Sequence, residues 1–295
     1  MFKRLRIATR PSRTAPVAPD LSLNQLIGNA ELPVSLKAIN SLPLNPKLRL
    51  YRTLIPIQVL TEMDIDPRSW KNPAGEIQVR LEAEPNSHSV QLSAWVGEDE
   101  SDPYFYLDLA DNTFGGIDLN FVVINDPRQP KYAVDVDEQG RPTGYGRLRR
   151  HLAAEAEAMR AGLAPGQIRP GLRASGQIFG HIETFLNVMS HQSIALEPLS
   201  YTSAWVFERR GFAYIRGHKL MDAIHSEFMP GRRLHAALDG STPFRQPEQW
   251  NTVRGRAWAI HDGILDQADL SWDAVKMIKQ IGQDASVNTF PEGAY

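Results

Sequence analysis

The spacing of apolar and polar positions divides the chain into three parts. From Leu21 to about Met63, apolar residues recur at helical intervals, with Pro33 and Pro43 as breaks. Here Leu48, Leu50, Tyr51, Leu54 and Ile55 form an apolar stripe beside Lys47, Arg49 and Arg52. Such a stripe suits a surface helix with snorkelling bases, or a helix lying on a membrane. From Glu76 to Val136 the period falls to two. The segments EIQVRLEA, SVQLSAWV, YFYLDLA, GIDLNFVVIN and KYAVDVD, separated by turn residues, predict five strands of an antiparallel sheet. GIDLNFVVIN carries the longest apolar run and is expected to be the most buried. After residue 146 the helical period returns: RLRRHLAAEAEAMRAG predicts a helix stopped at Gly162, and LRASGQIFGHIETFLNVMS a helix with Ile178, Ile182, Phe185 and Met189 on its packed stripe.

The fold class expected is therefore α+β, with an antiparallel or mixed sheet running from the first half into an α/β C-terminal half. The polar Gly/Pro loop over 137–146 marks the boundary, dividing the chain into 1–20, 21–145 and 146–295. The first of these is an extended, basic arm. Its leading thirteen residues hold Lys3, Arg4, Arg6, Arg10 and Arg13 and no acid, a composition suited to a solvated tail or to an arm that touches a protein or an anionic surface.

Composition narrows the chemistry. With 42% hydrophobic and 22% charged residues, 295 residues can build a substantial core. A net charge of −2 supplies no global field for nucleic acid. The absence of cysteine excludes disulfides, thiolate metal sites and thiol nucleophiles, and agrees with a cytoplasmic protein. No run approaches the roughly 20 apolar residues that span a bilayer, and no apolar segment follows the early charges as in a secretory signal.

Three constellations carry candidate chemistry. The first is the segment from Glu197 to Phe228, read as strand end, helix capped by Ser200, glycine stop at Gly211, strand, helix. Within it Ser200-x-x-Ser203-x-x-x-Phe207-Glu208-Arg209-Arg210-Gly211-Phe212 resembles the C-terminal motif of GNAT-type N-acyltransferases. Upstream, Arg173-Ala174-Ser175-Gly176-Gln177-Ile178 is similar to that family's pyrophosphate turn. The order turn, helix, strand, helix, strand over about 55 residues agrees. The resemblance implies acyl-CoA as cofactor, held at Arg173 and Gly176 by backbone donors at a helix N-terminus. In such an enzyme Glu197 or His225 would deprotonate a small-molecule amine acceptor, and convergence of Glu197, Tyr201, His225, Arg256 and His261 on one concave pocket would mark a catalytic site. Two positions depart from the family: Ile178 replaces a small residue near the phosphate approach, and Phe207 stands where the family often has a tyrosine general acid.

The second constellation is His218, Asp222 and His225, spaced i, i+4, i+7 on one helix face. With Glu197 it could hold a divalent metal, or imidazole and carboxylate could act as base and orienter. A helix with a polar flank accounts for the same residues. The third is FRQPEQWNTVRGRAWAIHDGIL. If Val253–Ile260 is a strand, Arg254 and Arg256 share a face and could clasp an anion, with His261 next to Asp262 as a base. A surface strand ending in an Asp-Gly turn is the alternative. Asp135-x-Asp137-x-x-Gly140 resembles a calcium-loop opening, but Gly146 stands where the bidentate acid belongs. Three functions remain: acyl transfer, metal-dependent catalysis, and ligand binding or assembly without catalysis.

Overall fold

A computed structural model describes residues 33–144, 146 and 148–295. The basic arm and the first part of the helical segment lie outside the described residues. Seven strands form one mixed sheet in the order β1-β2-β3-β4-β5-β7-β6. The strands are β1 (Val79–Glu82), β2 (Ser89–Ala94), β3 (Phe105–Asp111), β4 (Ile117–Ile124), β5 (Ser193–Leu196), β6 (Ala213–Arg216) and β7 (Lys276–Gln280). β1 to β4 are an antiparallel meander, β4 and β5 are parallel, and β7 lies antiparallel between β5 and β6. The sheet thus crosses the loop at 137–146 without interruption.

Among the described residues, three short helices precede the meander: α1 (Leu36–Asn40), α2 (Leu44–Arg52) and α3 (Ile57–Thr61). Their apolar stripe faces inward. Leu50, Tyr51, Leu54 and Ile55 are buried, while Lys47 reaches the carbonyl of Ala83 and Arg52 lies over the Trp70 ring. Proline cannot donate to a helix and fits its first turn, which is why Pro43 and Pro56 mark starts rather than interiors. The start of α1 is bonded to the sheet. Asp111, the last residue of β3, accepts from the Leu36 and Lys37 N–H groups at 2.7 and 3.0 Å. At the other end of α1, buried Asn40 donates to the carbonyls of Ser87 and Ser89 and accepts from the Tyr51 hydroxyl at 2.5 Å.

Alternate residues of β2 and β3 (Val90, Leu92, Ala94; Phe105, Leu107, Leu109) enter the core, as a period of two requires. Against it pack α5 (Ser175–Val188) through Ile178, Ile182 and Phe185, and α6 (Tyr201–Glu208) through Tyr201 and Ala204. A smaller hydrophobic cluster stands apart. It contains Val134, Ala154, Ala158, Leu163, Phe244 and Trp258, and is built from α4 (Leu152–Arg160), the following loop and α9 (Val253–His261). Between α6 and α9 lie α7 (His218–Glu227) and α8 (Arg233–Ala236).

Three expectations are corrected. KYAVDVD is not a strand: only an isolated bridge joins Val136 to Pro142. Asp137 instead closes a turn by accepting from the Gln139 and Arg141 N–H groups. Residues 253–261 form a helix, capped by the Thr252 hydroxyl on the Gly255 N–H, rather than a strand. The apolar run of β4 is not the most buried: Ile117 and Leu119 are, but Phe121–Ile124 are half-buried. The glycine stop at 211 stands. Gly211 has φ +82°, and a Cβ there would lie 2.7 Å from Lys279 Nζ and 3.0 Å from the Asp284 backbone.

Asn40→Ala removes two bonds to the β1–β2 turn and strands the buried Tyr51 hydroxyl. Chemical denaturation is expected to show a loss of about 2–3 kcal/mol, since each buried group left unpaired costs roughly 1–3 kcal/mol.

Candidate functional site

The half-burial of β4 has a simple origin. The parallel pairing of β4 with β5 lasts three residues: Ile117 with Ile194, Asp118 with Ala195, Leu119 with Leu196. Beyond it β5 ends at Glu197-Pro198, and the chain turns into α6 at the Ser200 cap, where Ser200 Oγ accepts from the Ser203 N–H. β4 carries on but bulges, since Leu119 faces Leu109 whereas Phe121 faces Asp108, so Asn120 is the extra residue. The two strands part, and a cleft of about 1010 Å³ opens between Phe121–Ile124 on one side and Leu199, Ser203 and Val206 on the other. The segment 161–175 forms its third wall, and Arg254, His261 and Tyr295 stand at its rim.

The N-terminus of α5 opens at this cleft. Arg173 turns the chain with φ +58°, a left-handed conformation that costs a non-glycine residue about 1 kcal/mol or more. Ala174 then occupies the cap position with no side-chain hydrogen bond, and the first donor committed to the helix is the Ile178 N–H, to Ala174 O at 3.0 Å. The N–H groups of the first turn are left to an outside acceptor. Ile178 itself is fully buried in the core, so its side chain does not plug the junction. Arg210, from the end of α6, donates to Ser175 Oγ at 2.6 Å and lies against Gly176, where a Cβ would approach Arg210 Nη1 to 3.0 Å. The turn near residue 176 and the helix that halts at residue 211 therefore meet at one place. Arg173, Arg209 and Arg210 all line the cleft, giving this end a positive field.

The far rim holds His261. Its Nε2 lies 3.3 Å from Glu155 Oε1, and Glu155 is 1% exposed. Arg150 donates to Glu155 Oε2 at 2.8 Å and to Asp262 at 2.9 Å; Asp262 in turn accepts from Arg245 and Thr242. Burial pushes the Glu155 carboxyl up, but the hydrogen bonds from His261 and Arg150 outweigh it and hold it below the usual glutamate value. Glu155 is thus an anion held in place, and it orients the imidazole. Gly146 runs flat against that ring. A Cβ there would lie 2.5 Å from His261 Cε1, and φ is +81°. Beside this group Arg254 donates to the Gly162 carbonyl and lies over the Tyr295 ring, which stacks on Trp205 at 6.0 Å.

Of the residues singled out from sequence, Arg173, Arg254 and His261 line this cleft, and Gly176 opens the helix beside it. The others do not converge on it. Glu197 projects outward with 70% of its side chain exposed, 3.7 Å from Lys276. Tyr201 and Arg256 are core residues. Burial pushes the Tyr201 phenol up to about 12, partly opposed by the nearby Arg256 guanidinium. Arg256 is fully buried over Phe290, donates to the Trp250 carbonyl, and has Nη1 3.1 Å from His225 Nδ1. On a helix, two residues apart, Arg254 and Arg256 point in nearly opposite directions and clasp nothing jointly. His218 and Asp222 are exposed and 3.9 Å apart, while His225 is engaged by a cation. Among the described residues no group of three His, Asp or Glu side chains is arranged to hold a metal ion. Sequence reasoning missed Glu155 because its partner lies 106 residues away. The usable signal was its place between Ala154 and Ala158 on a buried helix face.

Two predictions follow from this geometry. Arg173→Gly relieves the left-handed strain and should raise unfolding stability by roughly 0.5–1 kcal/mol in denaturant titrations. His225 is the pH-sensitive contact. Burial, then Arg256, depresses its proton affinity in the folded state. A depressed imidazole stabilises the fold above its ordinary value and loses that contribution as pH falls through it. Between about pH 7.5 and about pH 5, the melting temperature should fall less for His225→Asn, which keeps an acceptor for Arg256, than for the parent chain.

No family model, curated protein or solved structure matches this chain.

Proposed function

We propose that the protein transfers an acyl group from acyl-CoA to an amine, in the manner of the GNAT-type N-acyltransferases that its C-terminal half resembles. The observation that carries this reading is the uncapped N-terminus of α5 opening, beside Arg173 and Arg210, at the cleft where β4 and β5 separate. A pyrophosphate accepts hydrogen bonds from free helix N–H groups and is favoured by the helix dipole and adjacent guanidinium groups. Support also comes from element order. Turn, helix, strand, helix and strand follow one another from Arg173 to Arg216 as the resemblance implies.

With the donor's phosphates at α5, its pantetheine arm runs into the cleft along Phe121–Ile124. The amine nitrogen attacks the carbonyl carbon, the C–S bond breaks, and the thiolate departs. His261, oriented by ionised Glu155, takes the proton from the attacking amine. Phe207 takes no part in proton transfer. Its ring packs on Phe179 at 5.7 Å and Phe212 at 5.3 Å.

Isothermal titration calorimetry should show saturable binding of CoA and acyl-CoA; no heat with any of them overturns the reading. With a turning-over donor and amine, His261→Gln should lower kcat by about 10²-fold or more while the KM for the donor changes little. An unchanged kcat removes His261 from the chemistry.

A further inference from the structure

The cleft is much larger than an acetyl group requires. Its volume of about 1010 Å³ stands at the upper end of pockets that hold whole drug-sized ligands. Its lining is asymmetric. At one end lie Arg173, Arg209 and Arg210; an apolar stretch sets Phe121, Val123 and Ile124 of β4 against Leu163, Ile168 and Leu199, while Asp102, Lys131, Asp135, Arg254 and His261 also line the cleft. Leu199 keeps 43% of its surface exposed. Leu163 belongs to the second hydrophobic cluster, so the cleft runs along the seam where that cluster and the main core fail to merge. The outer wall is held to β4 by backbone contacts. Asn125 bridges to Gly171, the Asp126 N–H donates to the Pro170 carbonyl, and a Cβ at Gly171 would lie 2.9 Å from the Ile124 carbonyl. This wall is tied down at the end of β4, so the apolar length is a standing feature of the fold.

A groove with a cationic end and an apolar stretch between β4 and the facing segment is complementary to an amphiphile with an anionic head and an aliphatic tail. We infer that the acyl group carried by the donor is a medium or long saturated chain, lying between Phe121–Ile124 and the segment from Leu163 to Gly171. This rests on the acyl-CoA reading above and names the substrate class within it. Chain length then sets affinity, because each buried methylene contributes by leaving water, about fourfold per group.

The test titrates the full chain with CoA, acetyl-CoA, hexanoyl-CoA and decanoyl-CoA, and in parallel with a dansyl-labelled undecanoic acid as a probe of the apolar groove alone. The expected result is a steady gain, with decanoyl-CoA bound at least about 10²-fold more tightly than acetyl-CoA, and displacement of the dansyl probe by decanoyl-CoA. Leu199→Trp and Val123→Trp place bulk in the groove at positions that are not fully buried, and circular dichroism melts check that each variant folds. Either should cut the decanoyl-to-acetyl affinity ratio by about tenfold. Equal affinity for acetyl-CoA and decanoyl-CoA, or a ratio unmoved by both variants, overturns the long-chain inference and leaves acyl transfer standing. Failure of CoA and every acyl-CoA to bind removes both, and dansyl-probe binding in that case marks a fatty-acid site instead.

Discussion

Three residue pairs of parallel ladder, between β4 and β5, decide the shape of this protein. A parallel neighbour must be reached by a crossover, and here the crossover runs from Asn125 to Gln192 and contains α4 and α5. The pairing stops at Leu119 and Leu196, and beyond these residues β4 and β5 part. Carrying the ladder on past Leu196 would narrow the cleft. Pro198, which has no N–H for the ladder, and the Ser200 cap, which commits the chain to α6, prevent this. The opening is therefore enforced by strand termination, a local property of a few residues.

That explains what was legible beforehand. The period-two segments from Val79 to Ile124, the Ser200 cap and the Gly211 stop all act over short distances, and each appears in the structure where periodicity and punctuation put it. The half-burial of Phe121–Ile124 was not legible, because it depends on a neighbouring strand much later in the chain that departs early. The alternation in RGRAWAIH pointed to a strand, but the Thr252 hydroxyl capping the Gly255 N–H, together with burial of Val253, Ala257 and Trp258, made it a helix. The pair formed by His261 and Glu155 joins α9 to α4 across the second hydrophobic cluster, and no spacing rule connects them.

The arginines divide by environment. Arg256 is a fully buried cation with aromatic faces at 3.5 and 5.2 Å and a carbonyl for company, and burial pushes its proton affinity down. It fixes the packing of α9 against α7 and Phe290. Arg150 is satisfied by two carboxylates and holds the rim of the cleft together. Arg173 and Arg209 keep part of their surface for an outside partner. Similar side chains at the sequence level thus become a structural ion, a clamp and an exposed cation, according to what each finds within reach.

The placement of β7 has a consequence for biogenesis. This strand, Lys276–Gln280, enters between β5 and β6, which both precede it by 60 residues or more, and Lys279 anchors it by donating to the Arg210 and Gln283 carbonyls. Until those residues leave the ribosome, β5 and β6 present open edges to each other with nothing to join them. The nascent chain must carry an incomplete sheet until Lys276–Gln280 have been made and released, and completion of the sheet waits on them.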